Sequence, residues 1–490
     1  MVRTRTLSAT LILTLAGVLL LSSSPAEAKH PNQGYIYGKV TTRSNNVYTG
    51  LLRWDDEEAF WDDLFHSYKE NRPYTEYVEK MGDTDRQELK DLEREVRRLA
   101  RQEAQLAKEE EQLAKQESRA SSDETRQRYS EQRSEKSSER YEVSTERAQL
   151  EREIARSRVS ETRRNISVLG GAINIAVSGL TGSRIFIARF GDIKKITVIG
   201  SEDAELLMKS GTVYTVSGYS NDVGGTIRVR DDSIGDINLE WRKIDTIEFM
   251  DTPKNVNPAG YRLAGSVFAD GTEYKGYIQW DSEECLSTDE LDGESEDGRL
   301  AIPFGNIKSI ERRSRSSSWV ILKDGRKLSL EGTNDVDGSI RGIMVEDERY
   351  GRLKVPWDAF EKAVFSDQGE SGRAYSDYKG ERRLEGTITD LDGKTYTGKY
   401  VFDLDEAETW EILNGDLFDI EFNIPFDRIR KITPRSRNSC AVVLDNDLSL
   451  RLEGGQDVTQ SNDGILVFDK GESKDPTYIP WEEVESITNK

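Results

Sequence analysis

Two cysteines in 490 residues, Cys285 and Cys440, build no disulfide framework. Two histidines, His30 and His66, without a Cys or His at ligand spacing, exclude the usual zinc sites and any catalysis that needs a histidine base. No glycine-rich loop precedes a helix, so a phosphate cradle of the nucleotide-binding kind is absent from the pattern. Basic excess is lacking too: 69 Lys and Arg against 91 Asp and Glu give a formal charge of -22, which repels phosphate backbones and argues against a nucleic-acid partner. Together these absences lead us to expect no enzyme, no cofactor and no metal centre of the common kinds.

One long apolar run exists, and it stands at the start. Arg3 and Arg5 precede Leu7 to Leu21, and the stretch ends in the small residues Ala26 and Ala28. This reads as a secretory signal peptide over 1–28, too short for the roughly 20 residues that span a bilayer. The expectation is an exported protein, periplasmic or secreted, attached to a bacterial envelope if at all, with no transmembrane span.

What the chain has is repetition. IPFGNIKSI (302–310) returns as IPFDRIRKI (424–432) and, more worn, as ARFGDIKKI (188–196). Upstream, the spacing Y-x-G-x3-[WF]-D holds at Tyr48 to Asp55, Tyr274 to Asp281 and Tyr396 to Asp403. Downstream, LKDGRKLSLEGTNDV (322–336) matches LDNDLSLRLEGGQDV (444–458) and, loosely, MKSGTVYTVSGYSNDV (208–223), closing on VPW, IPW and LEW. We read three units of about 105 residues, each doubled into halves of about fifty. Alternation such as V-x-L predicts half-buried strands, and the D-G and N-D pairs predict hairpin turns. A strand ending at a proline, one short turn and a closing I-x-x-I strand resemble SH3-like or Sm-like small barrels. That resemblance implies a mainly β fold of three tandem repeats, each of two small barrels, and implies no ligand and no catalytic residue.

The expected division is 1–28 signal peptide, 35–66 plus 183–250 first repeat, 67–182 insert, 251–260 linker, 261–366 second repeat, 367–381 linker and 382–489 third repeat. The insert follows from counting. Asp281 to Phe304 and Asp403 to Phe426 each span 23 positions, but Asp55 to Phe190 spans 135. Inside it, Leu92, Leu99, Leu106 and Leu113 recur every seven residues, with Glu103 and Glu110 at matching apolar places, and a sparser series runs through Val143, Leu150 and Ile154. This predicts a long antiparallel helical hairpin with a leaky coiled-coil-like seam, suited to self-association, and an apolar return segment at 166–182 packed on the first barrel.

Trp54, Trp280, Phe402, Trp241, Trp357 and Trp481 occupy repeat-equivalent places and are expected as core anchors. Trp61, Trp319 and Trp410 lie off that pattern and are the candidates for contact with a partner, an envelope protein or glycan. The acidic stretches 281–297 and 403–419 hold nine and seven acids. They read as solvated loops, with Ca2+ coordination by Asp281, Glu283, Glu284, Asp403, Asp405 and Glu406 as the alternative. The expected function is a non-catalytic modular binding or scaffolding protein of the envelope. The alternatives are a carbohydrate-active or peptidoglycan-processing enzyme using loop carboxylates, and an adaptor acting through its helical hairpin.

Overall fold

A computed structural model describes residues 29–70, 74, parts of 99–147, 184–218, 222–366, 371–380, 382–469 and 476–490. The leader and the 166–182 segment lie outside the described residues.

The fold is mainly β, in two large antiparallel sheets of ten and twenty strands. The first set of strands is β1 (Tyr37–Thr42), β2 (Val47–Trp54), β3 (Leu64–Lys69), β4 (Arg184–Arg189), β5 (Ile193–Val198), β6 (Asp203–Met208), β7 (Val213–Ser217), β8 (Thr226–Asp231), β9 (Gly235–Glu240) and β10 (Ile244–Phe249). The second is β11 (Ala264–Ala269), β12 (Thr272–Gln279), β13 (Glu290–Ser295), β14 (Gly298–Pro303), β15 (Ile307–Ser314), β16 (Ser317–Leu322), β17 (Lys327–Glu331), β18 (Ile343–Asp347), β19 (Gly351–Val355) and β20 (Phe360–Phe365). The third is β21 (Glu385–Asp390), β22 (Thr395–Val401), β23 (Ile412–Leu417), β24 (Ile420–Pro425), β25 (Ile429–Ser436), β26 (Ser439–Leu444), β27 (Ser449–Glu453), β28 (Ile465–Asp469), β29 (Thr477–Ile479) and β30 (Val484–Asn489).

The first sheet runs β4-β3-β7-β6-β5-β10-β1-β2-β8-β9. In the second sheet the same pairings hold ten and twenty strands later: first with tenth, second with eighth, third with seventh, fifth with tenth. β19 pairs with β24 through Arg352, Leu353 and Lys354 and so joins the second and third sets edge to edge.

Local chemistry explains the strands. In β16 the residues Ser318, Val320 and Leu322 point inward and are buried while Trp319 and Ile321 point outward, the period of two that a half-buried strand requires. Gly50 and Gly276 sit where β2 and β12 leave one partner for another, and a Cβ there would collide with the carbonyl oxygen of Arg230 or Glu346. Asp270 and Gly271, both at positive φ, make the tight turn between β11 and β12. The proline-aromatic phrases become single 3-10 turns: Pro303 leads into Phe304–Asn306, Pro425 into Phe426–Arg428 and Pro480 into Trp481–Glu483, each with its aromatic ring buried. Proline has no N–H to donate, so the strand stops there and the chain turns.

Among the described residues two large interiors result, beside a small cluster of Val401, Leu404, Ala407, Leu466 and Phe468 in the third set and another in the insert. The second and third sets share one continuous core, crossing the β19–β24 seam where Phe422 meets Tyr274 and Tyr350. The first set has its own core, which also takes in Cys285, Leu286, Tyr375, Tyr378 and Trp410 from later in the chain. Residues 371–380, expected as part of a linker, are therefore packing material: Tyr375 lies 4.4 Å from the Trp61 ring, and Lys209 Nζ donates to the Tyr378 carbonyl at 2.9 Å. The two thiols are free and buried in different cores.

The long insertion enters at a hairpin tip. Ser295 pairs with Gly298 and Leu417 with Ile420, each leaving two residues in the turn, whereas Lys69 pairs with Arg184 across 70–183. β3 runs through Lys69, so the insert begins three residues later than residue 67, where the sequence placed it. Its described residues between 99 and 147 are helical, with Leu99, Leu106 and Val143 buried together. Arg133 pairs with Glu117 and Arg140 with Glu110. Among the described residues no helix is long and apolar enough to cross a membrane.

Because both counterpart hairpins close in two residues, replacing 70–183 by Asn-Gly is expected to leave a cooperative β-sheet melting transition and lower the helical circular-dichroism signal. Loss of the cooperative transition would show that the insert belongs to the core.

Candidate functional site

The turn after the Trp-Asp pair is built the same way in all three sets. Trp54 and Glu58, Trp280 and Glu284, and Phe402 and Glu406 exchange backbone hydrogen bonds, closing a loop whose first two residues take positive φ. Eight positions after each Asp stands a second carboxylate, Asp63, Asp289 or Glu411. One of its oxygens accepts two backbone N–H groups of the loop: Ala59 and Phe60 at 2.9 and 2.8 Å, Cys285 and Leu286 at 2.9 and 2.8 Å, Ala407 and Glu408 at 2.5 and 2.9 Å. Satisfied donors of this kind let a polar loop be buried.

These carboxylates then meet cations from another set. Arg53 of the first set grips Asp289 of the second through two nitrogens at 2.7 and 2.9 Å. Arg352 of the second reaches Asp63 of the first at 3.1 Å, beside Arg262 on Asp62 at 2.7 Å. Lys69 of the first holds Asp405 and Glu411 of the third at 3.1 and 2.9 Å. Arg184, at the end of β4, bonds Asp403 at 2.6 Å and also Asp463. All of these side chains except Arg53 and Asp289 are at least nine-tenths buried.

The three sets converge on a cavity of about 770 Å³. Its wall carries Glu57, Glu58, Asp222, Asp405, Glu406, Asp416, Glu421 and Asp457 against Arg184, Arg341, Arg352 and Lys354, with Leu64, Ile185, Ile187 and Met344 between them, and among the described residues no Trp, Tyr or Phe contributes to it. A guest there would meet charge, hydrogen-bonding groups and aliphatic surface.

A third carboxylate recurs beside each loop. Asp222, Asp335 and Asp457 accept the N–H of His66, Asp292 and Asn414 at 2.7, 2.6 and 2.7 Å. Near them Glu58, Glu284 and Glu406 each keep a buried Oε2 with no hydrogen-bond donor. Burial, then the neighbouring Asp335, pushes Glu284 up to about 9. Burial, then Asp222, pushes Glu58 well above the ordinary carboxylate range, and burial with Asp405 and Asp457 does the same to Glu406. Burial raises Glu57 to about 7, with Arg341 opposing, and Asp457 to about 6.

These positions revise the sequence reading. Asp281, Asp403, Asp405 and Glu406 are buried, and Glu283 and Glu284 half-buried, so the start of each acidic stretch is not solvated, while Glu290, Glu294, Glu296, Asp297 and Asp419 further along are exposed. Trp61 and Trp410, expected to face a partner, are 0% and 1% exposed. Trp410 packs on Phe186 and Tyr214 of the first set, and Trp61 on Phe249 and Tyr375, so their partners are within the chain. Trp319 lies half-buried on the outer face of β16, with Arg313 and Lys327 over its ring. Trp54, Trp280, Phe402, Trp241, Trp357 and Trp481 are all buried. Glu284 and Glu406 were named from sequence as Ca2+ candidates, whereas Glu58, the recurring Asp222, Asp335 and Asp457, and the cations Lys69 and Arg184 were not singled out. The repeated spacing of Glu58 with Glu284 and Glu406, and of Asp335 with Asp457, was the signal available.

Compared with known proteins, the chain matches no family model, no curated protein and no solved structure.

Two outcomes follow from these contacts. Glu284 holds its proton in the fold to a higher pH than in the unfolded chain, so its contribution to stability is complete below about pH 4.5 and falls away as pH rises toward about 9. Glu284→Gln, which cannot ionise, is expected to shrink the drop in melting temperature between pH 5 and pH 8; an unchanged drop would place the effect elsewhere. Trp410→Ala should cost about 3–5 kcal/mol in denaturant unfolding, whereas Trp319→Ala should stay within about 1 kcal/mol.

Proposed function

We propose that this is an exported, non-catalytic binding or scaffolding protein of a bacterial envelope, made of three tandem repeats that each hold two SH3-like or Sm-like small barrels. The recurrence of one pairing scheme in β1–β10, β11–β20 and β21–β30 supports the repeat reading. The 1–28 leader supports export to the periplasm or beyond. The ion pairs Arg133–Glu117 and Arg140–Glu110, whose partners run in opposite directions along the sequence, support an antiparallel helical hairpin that gives reach or self-association.

The observation that carries the binding function is the composite cavity of about 770 Å³, to which all three sets contribute and whose walls are held by ion pairs between sets. Its volume suits a ligand or a short protein segment. The acidic surplus of the wall, with Asp416 and Glu421 among its carboxylates and no aromatic ring among its described residues, favours a cationic segment of an envelope protein over a glycan.

A second reading has its own support. Burial raises both Glu57 and Asp457 in the cavity, and a carboxyl group that holds its proton closer to neutrality is what a glycan hydrolase needs as its acid.

Co-purification from native envelope decides between them. The intact protein is expected to retain a stoichiometric envelope protein that a variant with Asp416→Arg and Glu421→Arg loses while keeping its fold. Retention by that variant but loss on replacing 70–183 by Asn-Gly would move the contact to the insert. Turnover of envelope glycan, abolished by Glu57→Gln, would establish the enzyme.

A further inference from the structure

The third set differs from the other two in one respect. Asp403, Glu406 and Asp457 each bring a carboxylate oxygen within 4.8 Å of the other two, and all three residues are buried. Among the described residues no other trio of potential ligands closes this tightly. In the first set Asp55 is partly exposed. In the second, the Arg341 side chain reaches Asp281 and Glu57 at 3.3 and 3.1 Å and also bonds Glu283, supplying fixed positive charge.

Around the third trio the charge does not balance. Among the described residues acids outnumber bases there, with Asp403, Asp405, Glu406 and Asp457 lying beside Arg184 and Lys69 in a buried region. Buried carboxylates stay ionised only if a counter-charge joins them. Glu406 is 9% exposed, its Oε2 has no donor to satisfy it, and its carboxylate brings an oxygen within 4.8 Å of oxygens of Asp403 and Asp457. Asp403 already accepts from Arg184 and from the Asp463 N–H, and Asp457 from the Asn414 N–H; each oxygen still has a free lone pair to offer. A buried carboxylate that the protein leaves incompletely paired is therefore turned toward two further carboxylates.

We propose that Asp403, Glu406 and Asp457 bind one divalent cation, with Ca2+ as the fitting ion. All-oxygen donors select hard cations. Ca2+ takes oxygens at 2.3–2.6 Å, so ligands on opposite sides stand about 5 Å apart, while Mg2+ confines them to about 4.2 Å. The three oxygens lie within 4.8 Å of one another, close enough for one ion, and Ca2+ accepts irregular all-oxygen geometry where Mg2+ demands near-ideal octahedral ligands. Glu406 and Asp457 also line the central cavity, which gives the ion a route in and leaves room for water ligands. Arg184 and Lys69 remain as the ties to the first set, so the ion completes a junction between sets.

The test uses the full chain freed of metal by chelation and held at constant ionic strength. Calorimetric titration with CaCl2 should show one saturable site, and the melting temperature should rise with Ca2+. Glu406→Gln and Asp457→Asn should each weaken the affinity at least about tenfold, the least that loss of a supporting group costs, while Glu284→Gln leaves it unchanged. Binding is read well below each variant's own melting temperature, so lowered stability does not mimic lost affinity. Absence of saturable binding, equal affinity in both ligand variants, or tighter binding of Mg2+ than of Ca2+ would overturn the assignment. None of these outcomes depends on what the cavity itself holds.

Discussion

The structure depends on a carboxylate placed eight residues beyond the Trp-Asp turn. Asp63, Asp289 and Glu411 each spend one oxygen on two backbone N–H groups of their own loop and offer the rest to a cation from another set. One side chain thus allows the loop to be buried and ties it to the neighbouring sheet. The chemistry is exacting, because removing the cation strands a charge in the interior and costs about 3–5 kcal/mol.

The two kinds of junction are physically different. The second and third sets meet by strand pairing and shared apolar core, which extend one sheet into the next. The first set meets them by ion pairs, by Trp410 and by the tyrosines of 371–380. Apolar junctions tolerate approximate fit, whereas ion pairs demand defined geometry. The walls of the cavity use both kinds, since Arg352, Lys354, Glu421 and Asn423 lie on the paired strands β19 and β24 while Arg184, Arg352 and Asp405 are tied across sets by ion pairs.

Much of the fold was legible in the chain because repetition multiplies weak signals. Pro303, Pro425 and Pro480 mark turns that one copy alone would not have established. The insertion was readable by subtraction, since the excess of 112 positions between 135 and 23 equals the excess of 70–183 over a two-residue turn. The site was less legible. WDDEE, WDSEE and FDLDE display a repeated glutamate, but nothing local says that it is buried, and an acidic run reads as solvent-facing. Trp61 and Trp410 break the repeat pattern because they fill junctions between sets. A residue whose partner is more than a hundred positions away looks unpartnered until the tertiary structure supplies that partner.

The insertion at the β3–β4 tip also sets an order of events. Lys69 and Arg184 are neighbours in the sheet, yet the ribosome delivers them 115 residues apart. Bringing the ends of a flexible loop that long together costs about 3–4 kcal/mol more than closing a two-residue turn. Contacts formed within the loop, such as Arg133–Glu117 and Arg140–Glu110, shorten the distance that remains to be closed. β4 therefore joins its partner late, and Lys69 and Arg184, the two residues at that closing seam, are the same two that reach Glu411 and Asp403. The ion pairs that hold the third set to the first thus depend on closure of the hairpin with the longest connection among the described strands.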